Sequence, residues 1–215
     1  PAHPTGGVVP KSELEKLVIG LKEYPNVVLM SDEIYDQFCF GKNNFTSMLQ
    51  FPELRERLII LNGWSKTYAM TGWRLGYGIF PSKLYEMAEK LAVNIHSCVN
   101  SSAQYAALEA LNGPQNCVSE MNNHFKRRAH LMYTKLNEID GFSCQKPNGA
   151  FYCFPNITGT GKKSTEIQNI LLDNLGVATV AGTSFGEYGE GYIRLSCANS
   201  DSAIEEAISR IKYFL

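Results

Sequence analysis

The chain has 215 residues, 44% of them hydrophobic and 19% charged, and a formal net charge of −1. That is an ordinary globular composition; no basic excess points to nucleic acid, and no acidic run suggests a tail. The longest apolar runs, such as residues 27–30, are strand-sized and fall far short of the roughly 20 residues of a membrane span.

The chain opens on Pro1-Ala-His-Pro-Thr-Gly-Gly7, with no start Met and no signal-peptide pattern. This reads like the middle of a loop, so a piece of a longer protein is expected. Residues 11–24 carry Leu14, Leu17, Val18 and Leu21 at helical spacing, with Ser12 and Glu15 as an expected capping box. Residues 26–33 form an apolar run ending in acids, which predicts a buried parallel strand. Residues 57–62 repeat that character, and 74–80 form a looser run that stops at Pro81. Helices are predicted over 82–96, 101–112 and 115–139, separated by Asn100-Ser-Ser and Asn112-Gly-Pro114. The charges Lys126, Arg127, Arg128 and Lys135 on the last one read as a solvated helix face.

Beyond Asp140-Gly141 the composition changes. Strands are expected at 142–144 and 150–154 around the turn Lys146-Pro-Asn-Gly149, then a helix at 164–175 and a strand at 177–180. A glycine-rich loop at 182–191, a strand at 192–197 and a closing amphipathic helix at 200–213 complete the chain. Strands alternating with helices give an α/β fold. The boundary between two domains is placed inside the long helix, at residues 1–125 and 126–215. Cysteines 39, 98, 117, 144, 153 and 197 form no C-x-x-C pair. Free buried thiols in a reducing cytoplasm are expected, and no metal site.

Two polar clusters follow predicted strands. Asn62-Gly-Trp-Ser-Lys66 ends one, and Ser31-Asp-Glu-Ile-Tyr35 ends another; in α/β sheets ligands bind beyond the carboxyl ends of strands. A lysine and an acid at adjacent strand ends form either a structural ion pair or a site. Trp64 and Trp73 read as packing, and Glu33, facing away from Asp32, as structural.

The segment Lys66-Thr-Tyr-Ala-Met-Thr-Gly-Trp-Arg74 resembles the lysine signature of the class I/II aminotransferases, the fold type I enzymes that use pyridoxal 5′-phosphate (PLP). The resemblance implies that Lys66 carries the cofactor as a Schiff base and that Arg74, eight residues on, binds its phosphate. Ser-Asp-Glu-Ile-Tyr is similar to the motif whose Asp, here Asp32, contacts the pyridine nitrogen and whose Tyr, here Tyr35, contacts the 3′-oxygen. The opening segment resembles Pro-x-Asn-Pro-Thr-Gly, and Ile193-Arg-Leu-Ser-Cys-Ala-Asn199 resembles the segment whose Arg, here Arg194, binds the substrate carboxylate. The implied architecture is the C-terminal part of a PLP-binding large domain, with a mostly parallel sheet between helices, plus a small α+β domain.

The resemblance departs at two positions. His3 stands where the family has Asn; neutral imidazole also donates a hydrogen bond, so His3 is expected at the cofactor. Gly63 stands where some relatives carry a phosphate-binding Ser, which shifts phosphate binding onto Arg74 and groups outside this chain. Ser65 is a further phosphate candidate, or it caps the local turn.

The resemblance implies ping-pong transfer of an amino group between an amino acid and a 2-oxo acid, closest to the aspartate and aromatic branch, in a cytoplasmic homodimer. No nucleic-acid or membrane partner is expected. Two alternatives remain: a carbon–sulfur β-lyase on the same scaffold, and a non-catalytic aminotransferase-like regulatory domain. Family members are about twice this length, so the 215 residues alone are expected to leave sheet edges uncovered and not to form an active, stable monomer.

Overall fold

The computed structural model describes residues 1–41 and 45–214. They form two compact units. One unit comprises residues 9–37 and 43–120; the other comprises 1–8, 38–42 and 121–215. The sequence reading has one break near 125. The chain crosses between units at Met121, inside the same long helix, and the two short early pieces group with the C-terminal unit.

The first unit begins with α1, Lys11–Leu21. Its N-cap is Pro10 and no side chain caps it, so the expected Ser12–Glu15 box is corrected: Ser12 already lies inside the helix. Val18 is buried against Met48, Phe51, Leu54, Leu58 and Ile60. Arg57 closes the far end. Its guanidinium donates to the carbonyls of Leu21 at 2.8 Å and Tyr24 at 2.6 Å, satisfying acceptors that a helix C-terminus leaves open.

The sheet of this unit is β1 (Leu29–Asp32), β2 (Leu58–Gly63) and β3 (Gly76–Ile79), in the order β1-β2-β3. β1 pairs parallel to β2, and β3 antiparallel. Only β2 has a strand on both edges, so only β2 is largely buried. The expectation of a buried strand at 26–33 is therefore corrected. Val28 is 52% and Met30 60% exposed, because the outer edge of β1 has no partner strand among the described residues. β3 is exposed throughout. Helices α2 (Ser82–His96) and α3 (Ser101–Asn112) follow, and the Asn100 side chain caps α3 by accepting from the Ala103 N–H. α4, Asn116–Leu136, leads into the second unit.

The second unit packs one core from Ala129, Met132, Leu136, Cys153, Ile167, Leu171, Ile193, Ile204, Ile208 and Ile211, among others. Its sheet orders β4 (Tyr152–Cys153), β6 (Ile193–Ser196) and β5 (Val180–Ala181), all antiparallel. Helices α5 (Ser164–Leu175) and α6 (Asp201–Phe214) accompany it.

The strand expected at 142–144 reduces to a single bridge, Ser143 with Asn156. Its neighbours' N–H groups are already used locally, Phe142 by the Ile139 carbonyl and Cys144 by the Asn137 side chain. The strand expected at 177–180 shortens for a similar reason. Gly176, at φ +65°, and Val177 donate back to the carbonyls of Leu172 and Leu171, the left-handed helix stop that glycine permits. The six cysteines are free. Cys144, Cys153 and Cys197 are buried, and burial pushes the Cys197 thiol up to about 12. Cys98, in the link between α2 and α3, and Cys117, in the first turn of α4, are exposed, against the expectation of burial. Among the described residues, no helix is long and apolar enough to cross a membrane.

Candidate active site

In the first unit the site grows from a backbone contact. Gly63, the last residue of β2, pairs with Gly76, the first of β3. A Cβ built on Gly63 would lie 2.8 Å from the Gly76 Cα and 2.8 Å from the Leu75 carbonyl oxygen. Only glycine admits this approach. Gly63 thus has a structural reason that the sequence reading missed; a neighbouring glycine in the opposing strand was the available signal. The pair closes the loop 64–75, which carries both Lys66 and Arg74.

Residues 64–69 make a helical turn, with Tyr68 N–H donating to Trp64 O at 3.1 Å and Ala69 N–H to Lys66 O at 3.2 Å. Ser65 and Lys66 are half-buried within it. Trp64 anchors the turn: its indole N–H donates to the Ala107 carbonyl at 3.1 Å, and its ring meets Tyr77 edge-on. It is packing, as expected. Trp73 is not, being 50% exposed. Ala69 and Arg74 both adopt left-handed backbone, at φ +54° and +57°, which costs an L residue about 1–2 kcal/mol. The Arg74 side chain is exposed, with Nη1 donating to the Thr71 carbonyl at 3.0 Å.

Lys66 Nζ stands 6.0 Å from the centroid of the buried Tyr35 ring. Asp32, at the end of β1, is exposed, and its Oδ1 accepts from the Ile34 N–H at 3.1 Å. That bond turns the chain off the strand and leads it to Tyr35. Glu33 faces inward and is buried, accepting from the Met48 N–H at 2.9 Å and the Ser31 hydroxyl at 3.2 Å. Its structural reading stands.

In the second unit, Arg194 lies on β6 in register with Val180. Its Nη1 is 2.6 Å from His3 Nε2. The guanidinium carbon lies 4.8 Å from the Tyr152 ring centroid and 5.4 Å from that of Phe185. The His3 ring meets the same two rings edge-on. Arg194 Nε is buried without a hydrogen-bond partner among the described residues. The sequence reading placed His3 and Arg194 separately; the structure joins them. Tyr152, which pairs with Ser196 across β4 and β6, and Phe185 were not singled out by the sequence reading.

Residues 1–211 match the family described as aminotransferase class I and II. The chain belongs to that family. Its whole length is 39% identical to an aspartate aminotransferase of Pyrococcus abyssi and 39% identical to one of Bacillus subtilis, covering 55% and 56% of those proteins. Among solved structures, the aromatic aminotransferase of Pyrococcus horikoshii is similar over 99% of this chain and 57% of its own, with a TM-score of 0.95 at 38% identity. The chain spans just over half the length of the relatives it matches. The aminotransferase α/β fold is thereby established for this chain.

Proposed function

We propose that the protein is a PLP-dependent aminotransferase that exchanges an amino group between an amino acid and a 2-oxo acid, in the aspartate and aromatic branch. The observation that carries this reading is the loop 64–75. It holds a half-buried amine, Lys66, and an exposed guanidinium, Arg74, on one backbone segment closed by the Gly63–Gly76 pair.

The donor set fits the cofactor by chemistry. A primary amine suits an aldehyde, a carboxylate suits a protonated pyridine nitrogen, a phenol suits an oxyanion, and a guanidinium suits a phosphate. PLP, when bound, supplies a carbonyl that exchanges amines and a ring that withdraws electrons. Lys66 would hold the cofactor, and its freed Nζ would be the base that carries the proton from the substrate Cα to the cofactor carbon. Asp32 keeps the proton on the pyridine nitrogen. Tyr35 donates its hydroxyl to the 3′-oxygen. Arg74 binds the phosphate, with the Ser65 hydroxyl as a second donor. Arg194 grips the substrate carboxylate, and its partnerless Nε–H supports that role, since a buried N–H left unpaired is costly. His3 fixes Arg194 through Nε2. The proton this leaves on Nδ1 would be available as a donor to the cofactor oxygen.

On this reading the unit holding Lys66 is the C-terminal part of the cofactor-binding domain, and the unit holding Arg194 is the small domain. The free thiols support a reducing cytoplasmic setting. A homodimer belongs to the same proposal. The exposed apolar side chains Met87, Leu91, Ile95, Tyr105 and Leu108 on α2 and α3 support their burial by further polypeptide.

The test is a panel of amino donors, aspartate and phenylalanine included, with 2-oxoglutarate as acceptor and the full-length protein as catalyst. Transfer is expected, together with a visible cofactor band. Lys66→Ala is expected to lose the band and to slow turnover by about 10²–10⁴-fold, the usual worth of a general base. Release of pyruvate and ammonia without a new amino acid would overturn the assignment.

A further inference from the structure

We propose a second ligand site in the C-terminal unit, built from residues that the cofactor and substrate reading does not use, and taking a small organic dianion with an apolar body. A cavity of about 460 Å³ opens between α4 and the turn at 146–148. Ligand cavities for small molecules run from about 300 to 1,000 Å³. Lys126, Arg127 and His130 line it from α4, and Lys146 from the turn. Phe40 and Pro147 give it apolar wall, with the buried Ala129 between the cations of the helix.

A solvated helix face accounts for Lys126 and Arg127 alone. It does not account for a lysine from a separate segment lining the same cavity, nor for a lining that contains no carboxylate among the described residues. The nearest acid in the bonding network, Asp201, is outside the lining and is shared by Arg127 and Arg128. It orients Arg127 and offsets its charge in part. Lys126 and Lys146 make no ion pair among the described residues. In a chain whose formal net charge is −1, this is a local concentration of positive charge, and a cleft with one sign of charge concentrates ligands of the other.

The walls are also fixed. Phe40 N–H donates to the Asn148 carbonyl at 2.7 Å, and the N–H groups of Asn148 and Gly149 both donate to the Gly6 carbonyl, at 2.9 and 3.0 Å. The turn that presents Lys146 is thus held from two sides, so the ligand does not have to order it. Lysine ammonium groups are adaptable point charges, and they suit a carboxylate pair and a phosphate ester equally. The apolar wall asks for a ring or chain attached to the anionic end.

The experiment is calorimetric titration of the purified full-length protein with phenyl phosphate, with phthalate and with inorganic phosphate. Saturable one-to-one binding of phenyl phosphate, of phthalate or of both is expected, and the arm that binds identifies the anion as phosphate ester or dicarboxylate. Lys126→Glu with Lys146→Glu is expected to weaken binding at least tenfold with an unchanged thermal unfolding midpoint, and Lys126→Ala with Lys146→Ala to weaken it less. Arg74→Ala and Arg194→Ala proteins are expected to retain binding at this cavity. The proposal is overturned if neither organic anion binds, if the charge-reversed protein binds as well as the parent, if binding disappears with Arg74 or Arg194, or if inorganic phosphate binds as tightly as phenyl phosphate.

Discussion

Arg194 Nη1 and His3 Nε2 lie 2.6 Å apart across a separation of 191 positions. Arginine has no acceptor and keeps its proton, so Nε2 accepts and His3 is neutral in this arrangement. The histidine therefore positions the guanidinium. His3→Leu removes the acceptor and is expected to raise KM for amino-acid substrates by tenfold or more, since a hydrogen bond to a charged group is worth about 1.5–3 kcal/mol. His3→Asn restores an acceptor and is expected to fall well short of that loss. Steady-state kinetics of the two variants side by side checks this; equal KM values would remove the positioning role.

The Gly63–Gly76 contact makes a second prediction. Gly63→Ser introduces a Cβ where 2.8 Å of space is available, so β2 and β3 must separate. Overpacking of this kind costs about 1–3 kcal/mol. Urea unfolding is expected to show a lower midpoint, and the added hydroxyl is not expected to improve cofactor affinity, because the loop it would serve is displaced.

Glu33 gives a third. Glu33→Ala leaves the buried Met48 N–H without its acceptor and is expected to destabilise by about 1–3 kcal/mol. Glu33→Gln keeps a carbonyl oxygen and is expected to cost less. Paired denaturation curves measure the difference.

Glu190 ties a pH dependence to the second unit. Its carboxylate accepts from the Ser164 N–H at 2.9 Å and hydroxyl at 3.0 Å, and from the Gly191 N–H at 3.0 Å. It caps the start of α5 from 26 positions away. The Ser164 N–H first, and then the Gly191 N–H, hold its pKa below the ordinary carboxylate value. A depressed folded-state pKa contributes stability above the unfolded value, about 4.3 for Glu, and loses it as pH falls through the folded one. Glu190→Gln is expected to be less stable than the parent at neutral pH, with the gap closing on acidification below about pH 4. Thermal unfolding from pH 7 to 3 follows the gap.

Local signals carried far in this chain. Helices at 82–96, 101–112 and 164–175 were legible to the residue, because Pro81, Asn100 and Gly176 mark their ends in the sequence itself. That Lys66 and Arg74 share one loop was legible because their spacing is local. What was not legible depends on separation. The fate of a strand depends on its neighbours, so the exposure of β1 could not follow from its apolar run. The cap on α5 comes from Glu190, far along the chain, and the bond between His3 and Arg194 joins the first residues to the last strand. Residue types told what each group can do, and only packing told which groups meet.

Within the lysine loop, two residues pay the same conformational cost with opposite freedom to escape it. Ala69 and Arg74 both hold positive φ. At 69 a glycine would relax the backbone and surrender only a methyl group. At 74 the same change would surrender the guanidinium. A mutational scan scored for thermal resistance should therefore enrich glycine at 69 and one scored for turnover should purge it at 74. The contrast between two positions in one loop would separate the demands of folding from those of chemistry.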